Sequence, residues 1–558
     1  MKKTISFLLI LALCLSLAAC GTTAAAANRD KSADTETAET TETTDAADAA
    51  ETAESTETAE ADDGEAVDIV LSDKTGSVTI TEEGTYRLTG TLSDGQIVVN
   101  AKDVKVTLIL DGVNVTCTGS AAIYVAEADK VTLSLAAGSE NILTSLGEFA
   151  DAADDDIDAA IFGRDDIIIS GEGSLTVESE YGHGIVSKDD LKIQGGAVTV
   201  TAAKKGLSGN DSVEISGGTV TVDSGADAVH AENTDDETKG YILVEGGKAV
   251  LTSGSDGMDA SGNVTMQGGS VTISAADDGI HSDATLSVSG GTLLVTRSYE
   301  GLEAKIIDIS GGTVDVTASD DGLNATGGSA STGGWGGDFA AQSGVELRIS
   351  GGSVTVDAGG DGLDSNGDLR ITGGTVYVSG PTNSGNGSMD YNGTGTITGG
   401  ILITAGSAGM AQSLTAAGDQ GVILYTLSSA QSGGSAVTLT DESGRILAEF
   451  TPSKTYQSVV ISAPGLTSGG TYTLSCGSVS ESITLSSLNW SNGGFGGMMG
   501  GMGGMNGMGG MGGTPFGGQN GEGQESFGGW GGENSFGGQG GFGGQGGPGG
   551  GGFGGGRR

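Results

Sequence analysis

The stretch Val288-Ser-Gly-Gly-Thr-Leu-Leu-Val-Thr-Arg-Ser-Tyr-Glu-Gly-Leu-Glu-Ala-Lys-Ile-Ile-Asp-Ile-Ser-Gly-Gly-Thr-Val-Asp-Val-Thr-Ala-Ser-Asp-Asp-Gly-Leu-Asn324 contains one phrase twice. An aliphatic residue, a spacer and Gly-Gly lead into residues that alternate apolar and polar, and an acid followed by Gly and Leu comes next. The first Gly of each such pair falls at Gly195, Gly217, Gly246, Gly268, Gly290, Gly311, Gly351, Gly373 and Gly399, with Ile169-Ser-Gly-Glu-Gly as a looser first copy. The basic step is 22 residues, with insertions in three copies. Within a copy the period is two: Val271 and Ile273, Val314 and Val316, and Val354 and Val356 alternate with Thr, Ser and Asp, as a half-buried strand requires. That pattern excludes helix. A propeller blade needs about twice this length. A short unit of three strands with Gly-rich corners fits one turn of a parallel β-helix, each turn stacking about 4.8 Å above the last.

Working outward, Val67 to Leu143 carries strand-like runs without the Gly-Gly signature and reads as irregular first coils with an N-terminal cap. Gly421 to Leu488 carries further strands, expected to cover the open end of the stack. The predicted organisation is therefore a β-helix over 65–420 and a small β cap over 421–488. The flanks differ in kind. Lys2 and Lys3, the apolar run Ile5 to Ala19 and then Leu17-Ala18-Ala19-Cys20-Gly21 read as a secretion signal over 1–19. This stretch resembles a bacterial lipoprotein signal, which implies Cys20 as the lipidated, membrane-anchoring N-terminus and an extracytoplasmic location at the cell surface. Residues 20–64 are an acidic Thr/Ala/Glu linker and 489–558 a Gly-rich tail, both too poor in apolar mass to order.

The chain has 558 residues, with 72 acidic against 24 basic side chains and a net charge of -48. Such a surface repels nucleic-acid phosphates and anionic lipid headgroups. With 106 Gly but 5 Pro and no strict every-third spacing, collagen is excluded. Aromatics make up only 4% of residues, so the core must be thin layers of Val, Ile, Leu and Ala.

The third strand of each coil concentrates acids. The copies read Asp256-Gly-Met-Asp259, Asp278-Gly-Ile-His281, Glu300-Gly-Leu-Glu303, Asp321-Gly-Leu-Asn324 and Asp361-Gly-Leu-Asp364, with Asp277 and Asp320 preceding two of them. Residues one period apart sit above one another, so these carboxylates form a column. Neighbouring charges at that spacing repel by about 1 kcal/mol in water and roughly 3 to 4 kcal/mol at an effective dielectric of 20. Clustered hard oxygen ligands without a Cys- or His-rich pattern select Ca²⁺. The alternative is that each Asp caps its corner by accepting backbone N–H groups, and some are expected to do only that. His183, His230 and His281 read as too dispersed for a zinc site.

At this point the sequence resembles bacterial secreted carbohydrate-binding domains built on a right-handed parallel β-helix, which bind cellulose and acidic sugars and look like pectate lyases in fold. The resemblance spans Val67 to Ser487. It rests on Gly84-Thr-Tyr-Arg-Leu-Thr-Gly-Thr-Leu-Ser-Asp-Gly-Gln-Ile-Val-Val, Leu110-Asp-Gly-Val-Asn, the Asp-Gly-Leu/Ile/Met units and Gly380-Pro-Thr-Asn-Ser-Gly-Asn-Gly-Ser-Met-Asp-Tyr391. It implies calcium on the Asp256 to Asp364 ladder. Trp335 and Phe339 lie in the insertion between Asn324 and Ile349 and are candidate walls of a sugar groove. Tyr299, Tyr377 and Tyr391 are expected on turns near the acidic column, and Tyr299, Trp335, Asp390 and Tyr391 are the candidate carbohydrate contacts. The expected activity is non-catalytic binding of cellulose or an acidic polymer such as polygalacturonate by a monomer, with bound calcium bridging protein and polymer carboxylates. The enzyme alternative implied by the fold is a calcium-dependent lyase with Lys205, Arg297 or Lys305 as base, and a third reading is a structural surface adhesin. Cys117 and Cys476 lie at opposite ends of the repeat, too far apart in an elongated stack for a disulfide.

Overall fold

The computed structural model describes residues 66–149, 156–327 and 340–492. The described residues all belong to one compact unit. Among them there is no α-helix; a 3-10 turn at Leu71–Asp73 is the exception to an all-β structure. The expected signal over 1–19, Cys20, the whole linker over 20–64 and Trp335 with Phe339 lie outside the described residues. So does the tail from residue 493 onward.

One predominantly parallel sheet carries the repeat, as stacked coils of a β-helix or solenoid. Each coil contributes three short strands, and each strand pairs in parallel with its counterpart one coil away. The first lane runs through Asp190–Ile193, Ser212–Ile215, Tyr241–Val244 and Val264–Met266. The second runs through Ala197–Ala202, Thr219–Ser224, Lys248–Ser253 and Ser270–Ser274. The third runs through Leu207–Gly209, Val229–Ala231, Met258–Ala260 and Ile280–Val288. The period-two residues fill the interior: Val271, Ile273, Val314, Val316, Val354 and Val356 are all at most 1% exposed. A flat ladder of β-branched side chains repeats from coil to coil, so a core with few aromatics is packed by stacking rather than by bulk.

The Gly-Gly corners have a double cause. Gly291 has φ of 78°, a left-handed conformation that a side chain disfavours. Its partner Gly290 lies so close to the neighbouring coil that an added Cβ would stand 2.3 Å from the carbonyl oxygen of Gln267. One glycine turns the chain and the other lets the coils approach.

The irregular early strands join the same sheet. Val67–Val70 pairs in parallel with Gly84–Leu92, which pairs with Lys105–Cys117 and through it with Lys130–Leu135. At the other end the pairing changes. Ile401–Gly406 and Val422–Gln431 both pair antiparallel with Tyr456–Ser462. Ile446–Phe450, Val437–Asp441, Thr471–Cys476 and Val479–Thr484 form a separate antiparallel sheet around a second core that includes Leu427, Tyr456, Val459 and Leu474. The boundary expected at residue 489 falls on a strand, because Asn489–Ser491 pairs with Val422–Gln431. Cys117 and Cys476 are both buried free thiols, in different hydrophobic clusters.

Candidate metal centre

The third lane sets the site. Its outward residues stand in register as His230, Asp259, His281, Glu303, Asn324, Asp364 and Asp390. On the turns just before them lie Asp227, Asp256, Asp278, Glu300, Asp321 and Asp361. The acids predicted as a column therefore form two adjacent files.

Several members of the second file cap the neighbouring coil. Asp256 Oδ1 accepts the backbone N–H of Asp278 at 2.8 Å, and Asp227 Oδ1 that of Asp256 at 3.4 Å. Asp321 Oδ1 accepts the N–H of Asp361, and Asp361 Oδ1 that of Gly387. Each carboxylate thus ties its coil to the next, the capping role considered from sequence. The corner also needs the glycine that follows the acid: a Cβ on Gly301 would meet the carbonyl oxygen of Gly322 at 2.2 Å.

Three groups of titratable side chains converge so that one ligand atom from each lies within 4.8 Å of the others: Asp227 with His230 and Asp259, Asp278 with Glu300 and Glu303, and Asp361 with Asp364 and Asp390. They differ in how their charge is met. In the first, His230 Nδ1 lies 2.9 Å from one Asp259 oxygen and 3.4 Å from Asp227, while His281 Nδ1 lies 2.9 Å from the other Asp259 oxygen. Burial alone raises the pKa of Asp259, but the bonds from His230 and His281 outweigh it and hold the carboxyl below its ordinary range. Burial opposes charging of His230, yet its bonds to Asp227 and Asp259 push the imidazole up to about 9, and Asp259 is the main cause that raises His281 to about 9 as well. Imidazolium quenches this group from within. The expectation that the histidines are dispersed is thereby corrected: 29 or 22 residues of sequence are one coil of height, so two of the three meet on one carboxylate.

The third group has no such counter-ion, and in the second only His281 Nε2 approaches, 3.9 Å from Glu303 Oε1. Burial and the charges of Asp256 and Glu300 push Asp278 up to about 7. Burial and the adjacent Glu300 push Glu303 up to about 8. Burial raises Asp364 to about 8, Asp361 to about 6 and Asp321 to about 7, each with neighbouring carboxylates adding to the rise. Asn324 stands between Glu303 and Asp364 in its file and is 8% exposed. Its Nδ2 donates to Glu300 Oε2 at 2.7 Å, whereas its Oδ1 is buried with no hydrogen-bond partner. Buried acceptors are almost always satisfied, so an oxygen left over amid carboxylates fits a hard cation as its partner.

The remaining predicted residues are dispersed around this centre. Asp277 is exposed and Asp320 half-buried. Asp320 raises the pKa of Tyr299, whose ring is exposed. Asp390, expected as a sugar contact, lies in the carboxylate file opposite Asp364. Tyr391 packs against the core and donates its hydroxyl to the Ser413 carbonyl at 2.8 Å. Tyr377 is on the second-lane strand Thr375–Ser379 rather than beside the acids, stacked at 4.8 Å on Phe450. Of the candidate bases, Lys205 lies 3.7 Å from Asp227, and Arg297 and Lys305 are exposed. Sequence reading missed Asp227 and His230. The signal was present in Asp227-Ala-Val-His230, which has the acid and the aliphatic residue at the right offset but Ala in place of Gly.

A stacked parallel β protein carrying buried carboxylate files along one face is the class these observations define. Residues 74–344 match the family described as carbohydrate-binding domain-containing protein. A carbohydrate-binding domain-containing protein of Acetivibrio thermocellus is 47% identical over 135 residues, 24% of this chain. The chain spans about half, 47%, of that relative's length. A solved structure of a polysaccharide lyase-like protein from C. thermocellum, a gadolinium derivative, is 36% identical, with 43% of this chain and 90% of that one covered and a TM-score of 0.33. The matched span includes Asp227 to Asn324; Asp361, Asp364 and Asp390 lie beyond it.

Proposed function

We propose that this chain is a non-catalytic, calcium-dependent polysaccharide-binding protein, a right-handed β-helix closed by its C-terminal antiparallel strands. It acts as a monomer at the bacterial cell surface, tethered through a lipidated Cys20 and the acidic linker. The observation that carries the calcium reading is the orphaned Asn324 Oδ1 beside carboxyls that burial and crowding have pushed toward neutrality. Hard oxygens from Asp278, Glu300, Glu303 and Asn324 would hold one Ca²⁺, and Asp361, Asp364 and Asp390 another. Bound cations invert the local field of a chain with net charge -48, so that the carboxylates of an acidic polymer are attracted where they would otherwise be repelled.

Retention on polygalacturonate and on cellulose, with Ca²⁺ and with chelator, tests the reading. Calcium-dependent retention on the acidic polymer is expected. Retention on neither support would favour a structural adhesin, and growth of ultraviolet-absorbing unsaturated product in the polygalacturonate digest would replace binding with lyase chemistry.

A further inference from the structure

A cleft lies on the outward side of the first lane. The coil between Gly217 and Gly246 is seven residues longer than the 22-residue step, and the added chain overhangs the strand Tyr241–Val244 as residues 232–240. That loop is fixed from several directions. Asp211 accepts hydrogen bonds from Asn233 Nδ2 at 2.8 Å and Lys239 Nζ at 2.6 Å, and its backbone carbonyl accepts the N–H of Gly240 at 2.7 Å. Asn233 Oδ1 in turn accepts the N–H groups of Asp235 and Asp236. Below the loop, the Tyr241 hydroxyl donates to Glu214 at 2.8 Å, which holds the ring in place.

Between loop and lane is a cavity of about 220 Å³ lined by Lys239, Tyr241, Leu243, Asn263, Thr265 and Gln267 among others. Its floor departs from the pattern of the lane. The outward rungs run Lys192, Glu214, Leu243, Thr265, Ser287 and Asp308 in register, so an aliphatic side chain stands in a run of charged and hydroxyl ones. Leu243 and Tyr241 give an apolar floor; Asn263, Thr265 and Gln267 give amide and hydroxyl groups at its edge. A pyranose ring has the matching chemistry, with C–H faces for the first and hydroxyls for the second. The volume is below the roughly 300–1,000 Å³ of pockets for drug-sized ligands and suits a single ring. Its lysine is already paired with Asp211, and Glu237 also lines the cavity, so a uronate carboxylate has no free cation to meet.

We propose that this cleft is a metal-independent subsite for a neutral hexopyranose unit, separate from the calcium-bearing face. The proposal rests on the reading of the chain as a polysaccharide binder and adds a second ligand class to it. The test is calorimetric titration of the full chain with cellotetraose, mannotetraose and xylotetraose, with Ca²⁺ and with chelator, for wild type, Leu243→Glu and Gln267→Ala. Gln267 is exposed, so its variant keeps the fold if Leu243→Glu does not. The expected result is binding of at least one tetraose that chelator leaves unchanged and that each variant weakens at least tenfold, while both variants keep calcium-dependent retention on polygalacturonate. No tetraose binding by wild type, or equal binding by wild type and Gln267→Ala, overturns the subsite. If wild type fails on polygalacturonate yet binds a tetraose that the variants lose, the calcium reading falls and the subsite stands.

Discussion

Asn324 donates through Nδ2 to Glu300 Oε2 at 2.7 Å, while the carbonyl oxygen of the same buried amide accepts from nothing. An unsatisfied buried acceptor costs about 1–3 kcal/mol, so the arrangement is better suited to a cation-bound state than to a metal-free one. Replacing Asn324 with Leu removes the orphan and the bond to Glu300 together. The expected outcome is a roughly tenfold loss of Ca²⁺ affinity by calorimetry, with the melting temperature in chelator little changed. Unaltered affinity would remove Asn324 from the ligand set.

Proton release follows from the perturbed carboxyls. Asp278 near 7, Glu303 near 8 and Asp364 near 8 are largely protonated at pH 6, and a cation must displace those protons. Calcium affinity is therefore expected to rise between pH 6 and pH 8.5. At pH 7 the observed binding heat should depend on the ionisation enthalpy of the buffer, and equal heats in phosphate and Tris would contradict the assignment.

The same groups set a stability trend for the metal-free protein. Their folded pKa values lie above the unfolded carboxylate range of about 4, so between those limits the folded state holds more protons and stability falls as pH rises. His230 and His281, raised to about 9, act in the same direction: their contribution is complete below about 6.5 and is lost as pH rises through 9. In chelator the melting temperature is expected to be lower at pH 8.5 than at pH 5.5, and saturating Ca²⁺ should reduce that difference. A melting temperature that rises across this range in chelator would contradict it.

Capping and charge are separable at Asp321, whose Oδ1 accepts the N–H of Asp361 in the next coil. Asp321→Asn keeps an acceptor and loses the charge; Asp321→Ala loses both. Alanine is expected to cost about 1–2 kcal/mol of stability in chelator, by analogy with other side-chain caps of backbone N–H groups, and asparagine much less. Urea denaturation of the two variants in chelator measures the difference, and equal midpoints would mean that the cap contributes nothing.

The stacking of the coils was legible because it is written in backbone requirements: paired glycines at a fixed step, followed by alternating Val, Ile and Thr. The acidic files were legible for the copies spelled Asp-Gly. They were not for Asp227 and Asp390, where Ala228 and Ser388-Met389 break the spelling but not the register. Nor could spacing show how each charge is met. Asp259 between two imidazoles and Asp364 among carboxylates occupy equivalent rungs, and the difference is set by what lies one coil above and below. The aromatic residues were the least legible. Tyr377 and Tyr391 were expected on turns near the acids; Tyr377 instead stacks on Phe450, while Tyr391 does lie beside the acids, its N–H donating to Asp390 Oδ1 at 3.0 Å, but on a strand and with its ring packed against the core.

The coil spacing that creates the files also predicts where they are most easily broken. A Cβ on Gly301 would stand 2.2 Å from the Gly322 carbonyl oxygen and 2.3 Å from Val316 Cγ1, and the first of these is backbone that cannot rotate away. Gly112 is the control: its φ of 74° disfavours a side chain, but an added Cβ meets nothing within 4 Å. Gly112→Ala should therefore cost about 1–2 kcal/mol from backbone conformation alone. Gly301→Ala must force adjacent coils away from each other, with a cost of about 3 kcal/mol or more from overpacking. Because Gly301 separates Glu300 from the strand that carries Glu303, the same displacement should weaken Ca²⁺ binding, which Gly112→Ala should leave intact. Urea midpoints and calcium titrations of the two variants decide the matter: equal losses in both would mean that the coils have room to yield, and that the crowding of the carboxylates is not imposed by the backbone.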